Sequence, residues 1–158
     1  MLLKQVTRAG ELAADRASVR GFLNERRRVL MAGDLAPVLS AVEALLRESF
    51  EIVGMVSDGQ TALESTMKQE PDLVVLDISM PGMSGIEVAR ELKRRGNHAK
   101  IVFLTVHEDS NILATALAAG GLGFVAKVFL DTDLIRAMNE ALAGRVFVSR
   151  LSSQQDMP

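Results

Sequence analysis

The chain has 158 residues, with 48% hydrophobic residues, 4% aromatic residues, no Trp or Tyr, and a formal charge of −2. That is enough apolar material for one aliphatic core plus an extension, and the near-neutral charge gives no electrostatic case for nucleic-acid binding. Cysteine is absent, so disulfides, thiolate zinc sites and thiol catalysis are excluded. No apolar run reaches the roughly 18 residues of a membrane span. Met1-Leu2-Leu3 is interrupted at once by Lys4 and Gln5, so no signal-peptide core is present and a cytoplasmic location is expected.

Residues 1–26 form an N-terminal extension. Leu12, Val19, Phe22 and Leu23 share one side of a potential helix interrupted by Gly21. The pattern leaves open whether this stretch packs on the domain, meets a partner or is disordered. Arg26-Arg27-Arg28 reads as a solvated lead-in to a strand, because no aromatic or further basic residue joins it.

A regular alternation begins at Val29. The run Val29–Ala32 is a short apolar strand ending at Gly33-Asp34. Pro37 suits a first helical turn, and Val38, Val42, Leu45 and Leu46 form a helical stripe. Phe50–Val56 is the second strand. After the turn at Asp58-Gly59, Ala62, Leu63 and Met67 line the next helix. Leu73-Val74-Val75-Leu76 reads as a strand buried on both faces, and it runs directly into Asp77, with Pro81, Gly82 and Gly85 marking a tight loop. The helix from Ser84 carries Ile86, Val88, Ala89 and Leu92 and ends near Gly96-Asn97. Ile101–Leu104 is the fourth strand, closed by Thr105, and an alanine-rich helix from Asn111 to Ala119 stops at Gly120-Gly121. Gly123–Ala126 is the fifth strand, with Lys127 at its end. Asp131 is placed to cap a last helix bearing Leu134, Ile135, Met138, Ala141 and Leu142, and residues 149–158 read as a polar, flexible tail.

Five strands alternating with five helices predict a doubly wound, all-parallel α/β domain over residues 27–148. Right-handed crossovers bring the carboxyl ends of such strands to one edge of the sheet, where ligands bind. Asp34, Asp77, Thr105 and Lys127 all stand at strand ends. Their convergence marks one candidate site.

These residues carry a resemblance to a known family. Asp34 after the first strand, Leu76-Asp77 with Met80-Pro81 and Gly85, Leu104-Thr105 and Phe124-Val125-Ala126-Lys127 follow one another as in the receiver domain of a two-component response regulator. The resemblance covers most of the chain, from about Arg27 to Val148, and implies a flavodoxin-like (βα)5 sheet of strand order 2-1-3-4-5. Phe50–Gly54 and Ala118–Gly121 resemble the branch whose receivers usually precede a helix-turn-helix output domain; only a short tail follows the last helix here, so no direct DNA binding is expected of this chain.

The resemblance implies that Asp77 is the phosphoacceptor, taking a phosphoryl group from a sensor histidine kinase or phosphotransfer protein in a phosphorelay. Mg2+ is then held by Asp34, Asp77 and the backbone carbonyl of Ser79. Thr105 and Lys127 contact the phosphoryl oxygens, and Phe124 occupies the aromatic switch position coupled to Thr105. Ser79 and His107, each two residues past a strand-end residue, overlook the path of a hydrolytic water. The implied protein is a signalling switch, not an enzyme in the usual sense, with a downstream output protein as partner and a second copy of the chain as a possible one.

Two departures stand out. Gly33 occupies a position where such receivers carry a second acidic residue, and Val128 follows Lys127 where a Pro or small polar residue is common. The alternative is therefore a degenerate receiver working as a phosphorylation-independent interaction module, because a magnesium site lacking one carboxylate is weaker. A phosphatase with an Asp nucleophile is disfavoured, since Asp77-Ile78-Ser79 has no second Asp to serve as acid/base. A flavin or nucleotide binder is disfavoured by the acidic loop after the first strand.

Overall fold

The computed structural model describes residues 26–33, 36–106 and 109–149. Asp34 and His107 lie outside the described residues, as do the extension before Arg26 and the residues after Ser149.

The strands are β1 (Arg27–Ala32), β2 (Phe50–Val56), β3 (Leu73–Asp77), β4 (Lys100–Thr105), β5 (Gly123–Ala126) and the two-residue β6 (Phe147–Val148). The helices are α1 (Ala36–Leu46), α2 (Gly59–Gln69), α3 (Gly85–Arg94), α4 (Ser110–Ala118) and α5 (Leu130–Leu142). The sheet order is β2-β1-β3-β4-β5-β6, with every pairing parallel. The expected 2-1-3-4-5 order is present, and β6 extends it on the outer side of β5.

Strand alternation divides the core into two layers. Leu30, Val74, Leu76, Phe103 and Phe124 face one layer, closed by Ala62 and Leu63 of α2, Val88, Ala89 and Leu92 of α3, and Ala116 of α4. Val29, Met31, Leu73, Val75, Val102, Leu104 and Val125 face the other, closed by Val42 and Leu46 of α1 and Leu134, Ala137, Met138 and Ala141 of α5. This two-sided burial is why the central strands read as unbroken apolar runs, and why all of β3 is buried.

Local chemistry fixes the helix ends nearest the strand-end residues. Ser84 caps α3: its hydroxyl accepts the Glu87 N–H while the Glu87 carboxylate accepts the Ser84 N–H. Those hydrogen bonds from Ser84, its backbone N–H first, hold Glu87 below the usual carboxylate range. Gly85 allows α3 to start directly against β3, since a Cβ there would lie 2.3 Å from the Asp77 carbonyl oxygen. The Gly85 N–H also donates to the Ile78 carbonyl at 2.9 Å.

Two expectations are corrected. Asp131 is not the cap of the last helix: Lys127–Phe129 form a 3-10 turn, α5 starts at Leu130, and Asp131 sits in its first turn, where a negative charge favours the helix dipole without a capping bond. Ser149, read as the start of a flexible tail, is buried, because its backbone continues the β6 pairing with β5.

Gly85→Ala is expected to destabilise the fold by about 1–3 kcal/mol, the range for forcing extra atoms into a packed core. Urea denaturation against wild type measures it, and an unchanged midpoint would show that α3 can retreat from β3 freely.

Candidate functional site

Because every strand is parallel, the carboxyl ends of β1, β3, β4 and β5 lie along one edge. Asp77 closes β3, paired in register with Leu104, and Thr105 closes β4, paired with Ala126, the residue before Lys127. The sheet thus brings Asp77, Thr105 and Lys127 together from three adjacent strands, and register alone decides their alignment.

Asp77 is a carboxylate at the end of an otherwise apolar strand, with its side chain 3% exposed. Lys127 Nζ donates to Asp77 Oδ2 at 2.6 Å, and the Lys127 side chain is itself only 14% exposed. Asp77 Oδ1 accepts the Ser79 N–H at 3.2 Å. Both carboxylate oxygens are therefore engaged from opposite sides, one by a cation and one by the backbone of the following loop. A buried charge is tolerable only with such partners. Thr105 is fully buried, as is Phe124, which packs among the apolar side chains of the α2–α4 layer and pairs with Phe103 across the β4–β5 ladder.

Gly33 stands at the end of β1, beside Asp77. A Cβ on Gly33 would lie 3.5 Å from Asp77 Oδ2 and 3.4 Å from Leu39 Cδ2, both ordinary contacts. Its backbone φ is not in the left-handed region, so nothing in the chain path there requires glycine. One further carboxylate sits on this edge: Asp58, after β2, accepts the Thr61 N–H and hydroxyl at 2.8 and 2.9 Å. The Thr61 backbone N–H is the chief reason its carboxyl is held below the usual range, and both its oxygens are committed to capping α2. Among the described residues, no three His, Cys, Asp or Glu side chains cluster as a metal site.

A model of the response regulator receiver domain matches residues 29–139. The chain belongs to that family. Its receiver is 38% identical over 118 residues to the transcriptional regulatory protein PdtaR of Mycobacterium tuberculosis, covering 74% of this chain and 57% of that protein. It is 31% identical over 123 residues to the nitrate/nitrite response regulator NarL of Escherichia coli, covering 77% of this chain and 57% of that one. The chain thus spans little more than half the length of these relatives. Among solved structures, the signal receiver domain of the response regulator NarL from Mycobacterium tuberculosis superposes with a TM-score of 0.74 at 30% identity, covering 77% of this chain and 99% of that one.

Two residues of this receiver's edge escaped the sequence reading. Ser149 and Asp133 form a hydrogen-bonded pair against the end of β5, next to Lys127. The only sequence signal was an apolar Phe147-Val148 pair immediately before Ser149, too short to read as a strand.

The Lys127–Asp77 pair should be asymmetric in stability. Lys127→Met strands a buried carboxylate and is expected to destabilise the receiver by about 3 kcal/mol at neutral pH. Asp77→Asn leaves the longer lysine stem free to carry its charge into water, and should lose less. Equal losses in paired urea titrations would contradict this account.

Proposed function

We propose that Asp77 accepts a phosphoryl group from the phosphohistidine of a sensor kinase or phosphotransfer protein. The observation that carries the reading is the buried Lys127–Asp77 pair at the carboxyl edge of a parallel sheet, in a chain of the receiver family. In the transfer, an Asp77 carboxylate oxygen forms a bond to phosphorus as the phosphorus–nitrogen bond of the phosphoimidazole breaks. The departing imidazole keeps the electron pair and takes up a proton from solvent. A carboxylate is a weak nucleophile, and such transfers depend chiefly on alignment and charge neutralisation.

Each residue has a part in that task. Lys127 already points its ammonium at Asp77, so it needs little movement to meet phosphoryl oxygens added there. Thr105, ending the neighbouring strand, supplies a hydroxyl to one of them, and Phe124 lies in the same core layer as the reporter of that contact. Ser79 and His107 govern access of the water that removes the group. Charge neutralisation is shared with Mg2+, and the donor chemistry fits: the Asp77 carboxylate and the Ser79 carbonyl are hard oxygen donors, and Asp34, two residues past β1 in sequence, is the third ligand of this reading. Bound magnesium would offset the negative charge gathered on the phosphoryl group.

We assign the receiver unit to residues 27–148, with a downstream output protein as the reader of the phosphorylated form and a homodimer as one form it can take. Receiver domains are signalling domains rather than classical enzymes. Among the described residues, no helix is long and apolar enough to cross a membrane.

A second reading rests on Gly33. Gly33 brings no carboxylate to the Asp77 side of β1, so the site has one fewer than the family pattern, and the domain would then work as an interaction module independent of phosphorylation.

Incubation with acetyl phosphate and magnesium, followed by intact-mass measurement, tests the first reading. Wild type should gain one phosphoryl group and Asp77→Asn none; a label of equal rate on Asp77→Asn would refute the acceptor assignment, and no label on wild type favours the second reading.

Gly33→Asp separates the two further. A Cβ at this position meets only ordinary contacts, so the variant chiefly tests the added charge. Without metal, the added carboxylate repels Asp77 and Asp34 and lowers the melting temperature. With millimolar magnesium it tightens binding, and a tenfold gain corresponds to about 1.4 kcal/mol of added stability at saturation. If wild type responds to magnesium as strongly as Gly33→Asp, the metal site is not weakened by Gly33.

A further inference from the structure

We propose that Ser149, held by Asp133, is a positioning residue for Lys127. The inference rests on the reading of Lys127 as the cation that meets Asp77 and its phosphoryl group. Along the outer edge of β5, the segment after α5 satisfies three backbone groups beyond the β5–β6 ladder bond of Phe124 N–H. Phe147 N–H donates to the Leu122 carbonyl at 2.8 Å, and Ser149 N–H donates to the Phe124 carbonyl at 2.8 Å. The third is the Ala126 N–H, for which β6, only two residues long, offers no carbonyl of its own; the Ser149 hydroxyl oxygen accepts it instead, at 3.2 Å.

That hydroxyl is oriented by a second bond. Ser149 Oγ donates its one proton to Asp133 Oδ2 at 2.7 Å, which leaves its lone pairs for Ala126. Asp133 lies in the first turn of α5, so the pair clamps the end of β5 to the start of the helix that follows it. Lys127 is the residue inside the clamp: its backbone begins at the pinned Ala126, and it opens the turn that leads into α5. Its ammonium reaches Asp77 at the end of a flexible four-carbon stem, so the backbone origin of that stem must be fixed for the ion pair to keep its length. Ser149 is 1% exposed and Ala126 2% exposed, so water cannot replace the hydroxyl if it is removed.

The test uses the full chain, labelled with nitrogen-15 on lysine, and reads the water exchange of the Lys127 Nζ protons by NMR, the signal being assigned by its loss in Lys127→Ala. This reading needs neither metal nor phosphoryl donor. Ser149→Ala is expected to speed that exchange about tenfold, the lower scale of losses on deleting an outer-shell partner. Asp133→Ala, which keeps the hydroxyl but frees it to rotate, should act in the same direction by about threefold, and it serves alone if Ser149→Ala does not fold. Leu46→Ala, buried in α1 far from this edge, should lower stability and leave the Lys127 exchange unchanged. Exchange that is unaltered in both clamp variants, or altered as much by Leu46→Ala, overturns the proposal. Acetyl phosphate labelling of the same proteins separates it from the functional reading. A wild type that takes no label while Lys127 responds to Ser149→Ala leaves the positioning role intact and removes the phosphoacceptor role. A wild type that labels while Lys127 does not respond does the opposite.

Discussion

A buried carboxylate at the end of an all-apolar strand is the constraint around which this domain is arranged. The Asp77 side chain is only 3% exposed, and its enclosure makes any unmatched charge expensive. The answer is a lysine two strands away in the sheet, brought within 2.6 Å by the register of β3, β4 and β5. The arrangement is tense in a useful sense. Lys127 is already paired, so whatever changes the charge on Asp77 changes the demand on Lys127, and through it on the end of β5 and the turn into α5.

The surrounding structure serves that placement. Parallel pairing sends all the strand ends to one edge, and two-sided helical cover makes the strands long apolar runs that stop sharply where polar residues begin. Gly85 lets α3 start in contact with the Asp77 backbone, and the Ser84–Glu87 capping box fixes that start. The loop carrying Ser79 is therefore held short and close, and its N–H meets Asp77 Oδ1.

Much of this was legible in the residues. The alternation of apolar runs with helical stripes prescribed the α/β class, and the strand-end positions of Asp77, Thr105 and Lys127 followed from where those runs stopped. The ion pair was not legible, because periodicity locates a side chain on a strand but does not measure how deeply its neighbours enclose it. The cap of α5 was misread at Asp131, since a 3-10 turn consumes three residues that a pattern of apolar positions treats as loop. Ser149 was misread for a different reason: a polar residue near a chain end looks solvated, and only the parallel contact of Phe147 and Val148 with β5 shows that it is buried.

The short strand β6 has one more consequence, which concerns how the sheet ends. A parallel sheet must expose two edge strands, and an exposed edge invites a neighbouring molecule to add to it. Here β5, whose carboxyl end leads to Lys127, is kept from being an edge at all. The last strand offers only two residues to a newcomer, and β2 at the far side is bent by a register shift against β1 between Val29 and Leu30. With β6 along its outer side, the lysine-bearing strand β5 is itself not an edge of the sheet.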